Sequence, residues 1–484
     1  MTRRVIVKKL PRAIRQVLKA AYGTIPPRFR LGRAFWETYH FLQQSQWWDQ
    51  ARLREYQMRE LERLLAHCYE NVPYYRRLFD ERGLKPADIQ SLSDLTKLPC
   101  LGKDEIRREP QAFVARNRRV DRLQQRYTTG TSGEPLQFYV DHDELQREWA
   151  FACHQWNRVG YEPGDARAEL IGRRIEGPKP YFWDPVPRAL RLSPIVHEKD
   201  TVSLYLDRMQ SYGIRFLYGY PSAITYFASL IRRHGVRVGA KLTAVLFASE
   251  TLYPWQRMIA QEVFDCRTYS FYGLAEHVVI AGECEASRAY HFMPQYGIAE
   301  VDSQTGEIAG TGFLNHANPF IRYRTSDIAA LPAGSGCPAC GRQYYPMAPD
   351  IEGRLQDFVL TPDGASFNSC TLTFPFKERK TIGRVQLVQE TLDRVILRVA
   401  PLGGDRTRQF LDELGVAHNT LQQILGHEVT VKDEIISSDE STGSGKFRFI
   451  VSHLPSGLRC YDRNPALGRA EWPMPRRHSS PGAG

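Results

Sequence analysis

No stretch of the chain approaches the roughly 20 consecutive apolar residues that a membrane-spanning helix needs, so no spanning segment is expected. The basic amino terminus does not read as a secretory signal, because Lys8, Lys9, Pro11, Arg12 and Arg15 interrupt any apolar run. A cytoplasmic location is the expectation. Cysteine is scarce, nine in 484 residues, and odd in number. That excludes a disulfide-knit scaffold and points to reduced thiols or a metal site. Internal repeats are missing, and so is a phosphate loop of the Gly-x4-Gly-Lys-Ser/Thr kind. Acids are missing before Glu37, whereas ten Lys and Arg stand there, from Arg3 to Arg33. This segment supplies nearly all of the formal charge of +11. The remainder is close to neutral, which argues against a body that coats nucleic acid.

What is present reads as a folded chain, with 42% hydrophobic and 25% charged residues. Its length predicts two domains or one large composite domain. Over 4–22, Leu10, Ile14, Val17, Leu18 and Ala21 fall on one helix face with basic residues between them. Two readings stand: an interfacial helix on an anionic membrane, or a helix docked on the body with its basic face in water. A long helix is expected over 45–70. Further on, helical patterns (222–234, 254–264) alternate with strand-like runs (244–248, 267–273), which predicts an α/β fold with a largely parallel sheet. Beyond about 350 the texture becomes that of a small α+β unit, followed by a Pro-, Gly- and Arg-rich tail. The expected division is a basic helical segment (1–60), a large domain (61–352), a hinge (353–357), a small domain (358–454) and a disordered tail (455–484).

Four motifs carry chemistry. YTTGTSGEP at 127–135 reads as a strand-to-helix loop whose backbone N–H and hydroxyl groups suit a polyphosphate, or as an ordinary surface loop. FYGLAEH at 271–277 offers an aromatic and a glycine for a flat base, and Glu276 for Mg²⁺, or a plain strand end. FIRYRTSDIA at 320–329 presents Asp327 to ribose hydroxyls, or an arginine–aspartate surface network. STGSGKFRF at 441–449 presents Lys446 to a phosphate or carboxylate, or is a hairpin turn.

In their fixed order, with SETL at 249–252 and IEGRLQD at 351–357 between them, these motifs resemble the adenylate-forming (acyl-CoA synthetase-like) superfamily. Within it, the match is to the phenylacetate–CoA ligase-like branch, which includes CapK-type capsule-biosynthesis proteins and deazaflavin-adenylating enzymes. NVPYYRRLFDERGLKPADIQSLSDLTKLPCLGKDEIR at 71–107 resembles that branch's opening. The resemblance implies an α/β large domain binding ATP and a carboxylic acid, and a small mobile α+β domain. It implies an acyl-adenylate, pyrophosphate release, and acyl transfer to an acceptor: coenzyme A, an amine or a hydroxyl. By position, Thr128, Thr129, Gly130, Thr131, Ser132 and Gly133 would line the phosphates. Ser249, Glu250, Tyr272 and Gly273 would frame the adenine, Glu276 would hold Mg²⁺, and Asp327 the ribose. Arg354 of the hinge would join the nucleotide site, and Lys446 would meet the charge of adenylation. The hinge departs from the branch's usual Gly-Arg-x-Asp-Asp, with Gln356 in place of an Asp.

Cys337-x-x-Cys340 has the spacing of a zinc knuckle or a redox dithiol. Cys284 and His291 supply a discontinuous partner pair, and the resembled branch has members with such a zinc site. His277 is the rival fourth ligand. Arg173, Arg174, Trp183 and Tyr220 are candidates to face the acid. Against the ligase stand a non-catalytic nucleotide-binding or membrane-surface protein on the same scaffold, and an enzyme that transfers AMP itself. Peripheral contact with a membrane through the basic amino terminus belongs to the expected partners; nucleic acid does not.

Overall fold

The computed structural model describes residues 12–128, 136–171, 175, 179–193, 199–329, 337–342, 345–352, 358–363, 365–376, 379, 381–401, 406–436 and 449–454. Thr129 to Gly133, Arg173, Arg174, the hinge with Arg354, Lys446 and the tail from 455 fall outside them. The chain divides into two compact units. One comprises Met1–Thr129 and Pro135–Leu355, and the main part of the other runs from Gln356 onward.

The first unit is built on strands β1 (Gln124–Tyr127), β2 (Gln137–Val140), β3 (Arg167–Leu170), β4 (Tyr181–Asp184), β5 (Ala189–Leu192), β6 (Phe216–Gly219), β7 (Ala244–Ala248), β8 (Arg267–Gly273), β9 (Ile280–Glu283), β10 (Tyr290–Phe292), β11 (Gly297–Val301), β12 (Glu307–Gly312), β13 (Tyr323–Ala329), β14 (Met347–Ala348) and β15 (Ile351–Glu352). Nine of them form one sheet in the order β14-β10-β9-β8-β7-β6-β3-β5-β4. Its middle, β5-β3-β6-β7-β8, is parallel. The flanks are antiparallel, with β4 on one side and β9, β10 and β14 on the other. All five residues of β7, Ala-Val-Leu-Phe-Ala, are buried, as a strand covered on both faces requires. A second sheet, β11-β12-β13-β15, is antiparallel throughout.

The helices are α1 (Arg12–Thr24), α2 (Pro27–Arg30), α3 (Arg33–Ser45), α4 (Gln50–Asn71), α5 (Pro73–Glu81), α6 (Lys103–Arg108), α7 (His142–Asn157), α8 (Lys199–Ser211), α9 (Pro221–His234) and α10 (Pro254–Phe264). Both α9 and α10 start on a proline, whose missing N–H costs nothing in a first turn. The long helix starts at Gln50 rather than 45, because the Asp49 carboxylate caps it, accepting from Arg52 N at 2.8 Å. Within the basic helical segment 1–60, the chain packs on the body from Arg33 onward. Phe35 and Tyr39 pack with Trp156, and Leu42 and Leu53 with Phe151 and Met293. Burying each such side chain contributes about 1.5–3 kcal/mol.

The loop after Tyr127 is not a strand-to-helix turn. β1 and β2 pair antiparallel, Tyr127 opposite Gln137, so the loop closes a hairpin. Phe138 and Val140 are buried on one face of β2, the alternation of a half-covered strand.

The second unit holds β16 (Phe358–Leu360), β17 (Ser366–Asn368), α11 (Ser369–Leu372), β18 (Ile382–Thr391), β19 (Arg394–Pro401), α12 (Arg408–Leu425), β20 (Thr430–Ile435) and β21 (Ile450–Ser452). Its sheet runs β20-β19-β18-β21. Val385, Leu387, Leu397, Phe410, Leu414 and Leu421 are among its buried residues. Thr407 caps α12, accepting from Phe410 N at 3.1 Å.

Candidate functional site

Ligands of open α/β sheets bind beyond the carboxyl ends of the parallel strands. Here β6, β7 and β8 run side by side, and Ser249, Glu250, Gly273 and Glu276 lie at or just beyond the ends of β7 and β8. Ser249 is left-handed (φ 71°), a conformation that is costly for a residue with a side chain and gathers at ligand sites. The Glu250 carboxylate caps α9: Oε2 accepts from Ser222 N and Oε1 from Ser222 Oγ, both at 2.9 Å. Glu250 therefore fixes the helix that follows β6, a role its sequence context did not signal.

Two links tie this edge to the second sheet. Tyr323, the first residue of β13, donates its hydroxyl to Glu276 Oε1 at 2.5 Å. Tyr272 of β8 donates to Asp327 Oδ2 at 2.9 Å. Burial, and then the Asp327 charge, hold the Tyr272 pKa well above its usual value, so the hydroxyl keeps its proton. Glu276 and Asp327 are buried, at 4% and 7% exposure. Ser326 is left-handed within β13 (φ 65°), and the β12–β13 register shifts nearby, the signature of a bulge that re-aims side chains. The neighbouring arginines do not pair with Asp327. Arg322 grips Glu300 through Nε at 3.0 and 3.1 Å, and Arg324 Nε meets Glu307 at 3.0 Å.

A further residue joins from far away in sequence. Leu101 is strapped to β13 by two backbone bonds of 2.9 Å, Leu101 N to Arg322 O and Arg324 N to Leu101 O. This brings Lys103 Nζ to 3.8 Å from Glu276 Oε1. The sequence reading missed Lys103; its only signal was its place in the opening stretch 71–107.

His277 turns away from Glu276. Its Nδ1 lies 2.7 Å from Glu144 Oε1, on α7. Burial disfavours the imidazolium, but Glu148 and Glu144 outweigh it and leave the pKa raised. Gly312 allows β12 to press on this turn, since a Cβ there would stand 2.2 Å from His277 O. His277 is thus occupied and is not part of the thiol cluster.

Of the residues expected to line the phosphates, Thr128 is described. Its hydroxyl accepts from Leu136 N, and Thr128 N donates to Leu136 O, both at 2.9 Å, so it staples the loop's base. Thr129, Gly130, Thr131, Ser132, Gly133, Arg354 and Lys446 lie outside the described residues. Trp183 stacks on Tyr212 with centroids 4.5 Å apart, a packing role. Tyr220 directly precedes α9.

The second cluster is Cys284, His291, Cys337 and Cys340, whose ligand atoms all lie within 4.8 Å of one another. Cys284 Sγ and Cys337 Sγ are 3.7 Å apart. Two thiolates at about 2.3 Å from a zinc ion, on adjacent tetrahedral corners, stand about 3.8 Å apart. Ala286 N and Ser287 N donate to Cys284 Sγ at 3.4 and 3.3 Å. Both ring nitrogens of His291 are buried without a hydrogen-bond partner. Burial, with Arg158 and Arg342, holds its pKa down to about 3, so the ring is neutral, as a metal ligand must be. Arg342 ties the knuckle down, reaching Glu285 Oε1 at 2.6 Å and Gln46 Oε1 at 3.0 Å. The donor set, its spacing and its orphaned imidazole fit a tetrahedral zinc ion with no open position.

Comparison with known proteins places the chain among several relatives. Residues 359–453 match the CapK C-terminal domain family. The chain is 24% identical over 406 residues to a phenylacetate-coenzyme A ligase of Thermus thermophilus, covering 79% of this chain and 86% of that protein. It is 21% identical over 414 residues to protein CapK of Staphylococcus aureus, covering 83% and 90%. Among solved structures, a 2-hydroxyisobutyryl-CoA ligase in complex with 2-HIB-AMP and CoA superposes with a TM-score of 0.58 at 18% identity, over 84% of this chain and 91% of that one. This last likeness is one of fold.

Proposed function

We propose, for a chain that belongs to the adenylate-forming superfamily in its CapK and phenylacetate–CoA ligase-like branch, that it is an ATP-dependent ligase that activates a carboxylic acid as an acyl-adenylate and passes the acyl group to coenzyme A. The observation that carries this reading is the convergence of Glu276 and Asp327, with Lys103, near the carboxyl ends of the parallel strands, each carboxylate held by a tyrosine from the other sheet.

In the first half-reaction a carboxylate oxygen of the acid attacks the α-phosphorus of ATP. The bond from that phosphorus to the bridging oxygen breaks, and pyrophosphate leaves. Little covalent work falls to the protein; it positions groups and offsets charge. Glu276, oriented by the Tyr323 hydroxyl, would hold Mg²⁺ through oxygen, the donor that ion prefers. Lys103 adds a cation beside it. Asp327, oriented by Tyr272, accepts from the ribose hydroxyls, and Tyr272 and Gly273 border the adenine with Ser249 and Glu250. Thr128 anchors the loop Thr129–Gly133, whose N–H and hydroxyl groups meet the phosphates. Arg354 would join the same nucleotide site. Lys446 supplies positive charge as adenylation proceeds. In the second half-reaction the thiol of coenzyme A attacks the acyl carbonyl, and AMP departs. The acceptor rests on the names of the relatives, the phenylacetate-coenzyme A ligases and the 2-hydroxyisobutyryl-CoA ligase.

Cys284, His291, Cys337 and Cys340 would hold a zinc ion in a structural role. Metal analysis checks it: one zinc per chain is expected, and none after Cys337→Ser.

The test of the function is pyrophosphate release across a panel of carboxylic acids without any acceptor, followed by thioester formation when coenzyme A is added. Acid-dependent release is the expected result. ATP binding with no release for any acid would reduce the chain to a nucleotide-binding scaffold. Release without a thioester would transfer the acyl group to an amine or hydroxyl.

A further inference from the structure

The nucleotide site and the thiol cluster leave α1 and α2 unexplained. Their anchoring to the body is specific. Gly23 packs so closely on the loop at Pro185 that a Cβ would stand 2.6 Å from Pro185 O. Arg30 Nη1 donates to Gly23 O at 3.0 Å and to Pro185 O at 3.4 Å. These contacts fix the segment against the first unit but do not cover its apolar residues. Ile14, Val17, Leu18, Tyr22, Ile25 and Phe29 are 38% to 69% exposed. Of these, Ile14, Val17 and Leu18 share one helical stripe, at spacings of three and four. Leaving such a row in water gives up the burial that normally sets a helix face.

Charge decides between the surfaces able to cover it. Ten Lys and Arg and no acid precede Glu37. Lys19 and Arg28 are exposed. The Arg28 guanidinium lies over the Phe29 ring, 4.7 Å from its centroid. A protein partner of ordinary composition would cover the apolar row without needing this charge. A nucleic acid would use the charge without needing the row. A layer with apolar interior and anionic surface uses both.

We propose that α1 and α2 form an interfacial docking surface for an anionic phospholipid bilayer, the helix lying in the headgroup plane with Val17, Leu18 and Phe29 in the acyl boundary and the basic residues among the phosphates. The surface places the ligase at a membrane without any spanning segment; no helix among the described residues is long and apolar enough to cross one.

Flotation of the full-length protein with vesicles tests this, using phosphatidylcholine alone and phosphatidylcholine mixed with phosphatidylglycerol. The wild-type chain should float with the mixed vesicles and not with phosphatidylcholine alone. Raising the salt from about 0.1 M to about 1 M, which shortens screening from about 10 Å to about 3 Å, should weaken it. Val17→Glu with Leu18→Glu should lose binding by at least about tenfold, and Lys19→Glu with Arg28→Glu by about tenfold. Both variants alter exposed positions and should melt at the wild-type temperature. No flotation with the mixed vesicles overturns the proposal, as does equal binding to phosphatidylcholine alone. Binding untouched by both variants overturns the assignment to this surface. A self-association abolished by the Val17/Leu18 variant assigns the face to a second copy instead. Retention on duplex DNA that the same variant leaves intact, without flotation, assigns the charge to nucleic acid.

Discussion

Around Glu276 and Asp327 the acceptors are met by protein donors: Tyr323 and Tyr272 reach the carboxylates, and Lys103 stands beside one of them. Around Cys284 and His291 the arrangement is the reverse. Three thiols and an imidazole crowd within 4.8 Å, and the imidazole nitrogens have no partner at all. An unmet buried polar group costs on the order of 1–3 kcal/mol, so the second cluster is unfavourable until something fills it. The first is stable as it stands and can accept and release a ligand at each turnover. On the proposed function, one region serves rate and the other holds the fold. His154 shows that an orphaned imidazole alone is not the argument: its ring nitrogens are also buried and unpartnered. Among the described residues, only the group at His291 gathers three or more potential ligands.

The comparison can be broken at either region. The largest effect expected is on rate. Lys446→Ala should lose ATP–pyrophosphate exchange by on the order of 10²–10³ while ATP affinity stays near normal, because a contact made in the transition state leaves ground-state binding intact. Given preformed acyl-adenylate, the same variant should still form the thioester. If that transfer collapses too, Lys446 has a shared or structural role.

Next in size is the metal cluster. Cys284→Ser should drop the zinc content below one per chain and lower the melting temperature by on the order of 5–10 °C. An unchanged melting curve would remove the structural role assigned to the cluster. Smaller is the Tyr272–Asp327 contact. Tyr272→Phe should raise KM for ATP about tenfold with little change in kcat, the cost of a hydrogen bond to a charged group.

The smallest effect lies outside both regions and marks the background. Burial, then His67, Arg118 and Arg147, holds the His316 pKa down to about 4. The unfolded value is about 6.5, so the unfolded state binds more protons between the two. The stability this confers is full above about pH 6.5 and is lost as pH falls toward 4. His316→Gln should therefore lose less stability than wild type on acidification, by about 1–3 °C in melting temperature near pH 5. Parallel melting-temperature profiles of the two proteins would contradict it.

Much of this was legible in the sequence where the signal is local. The runs at 244–248 and 267–273 are β7 and β8, and 254–264 is α10, because continuous burial and helical periodicity are written in neighbouring residues. The convergence of Cys284, His291, Cys337 and Cys340 is also legible, since a Cys-x-x-Cys knuckle has its own spacing and the family resemblance supplies the other pair. What escaped depends on contacts between distant segments. Lys103 reaches Glu276 only because Leu101 pairs with β13. Glu250 caps α9 only because β6 and β7 are neighbours. The hairpin at 127–137 was misread because a Gly-rich loop does not announce which element follows it. The antiparallel flank of the sheet is set by chain reversals at 274–279 and 284–289 that no periodicity records.

The most direct test measures two quantities on two preparations: ATP–pyrophosphate exchange and melting temperature, for Glu276→Gln and for Cys284→Ser. A crossed result is expected. Glu276→Gln should lose exchange by on the order of 10²–10³ with its melting temperature unchanged. Cys284→Ser should melt lower, while the protein that remains folded keeps exchange within about threefold of wild type. Full exchange in Glu276→Gln, or a loss of exchange in Cys284→Ser that exceeds its loss of folded protein, would contradict the division of labour between the two regions.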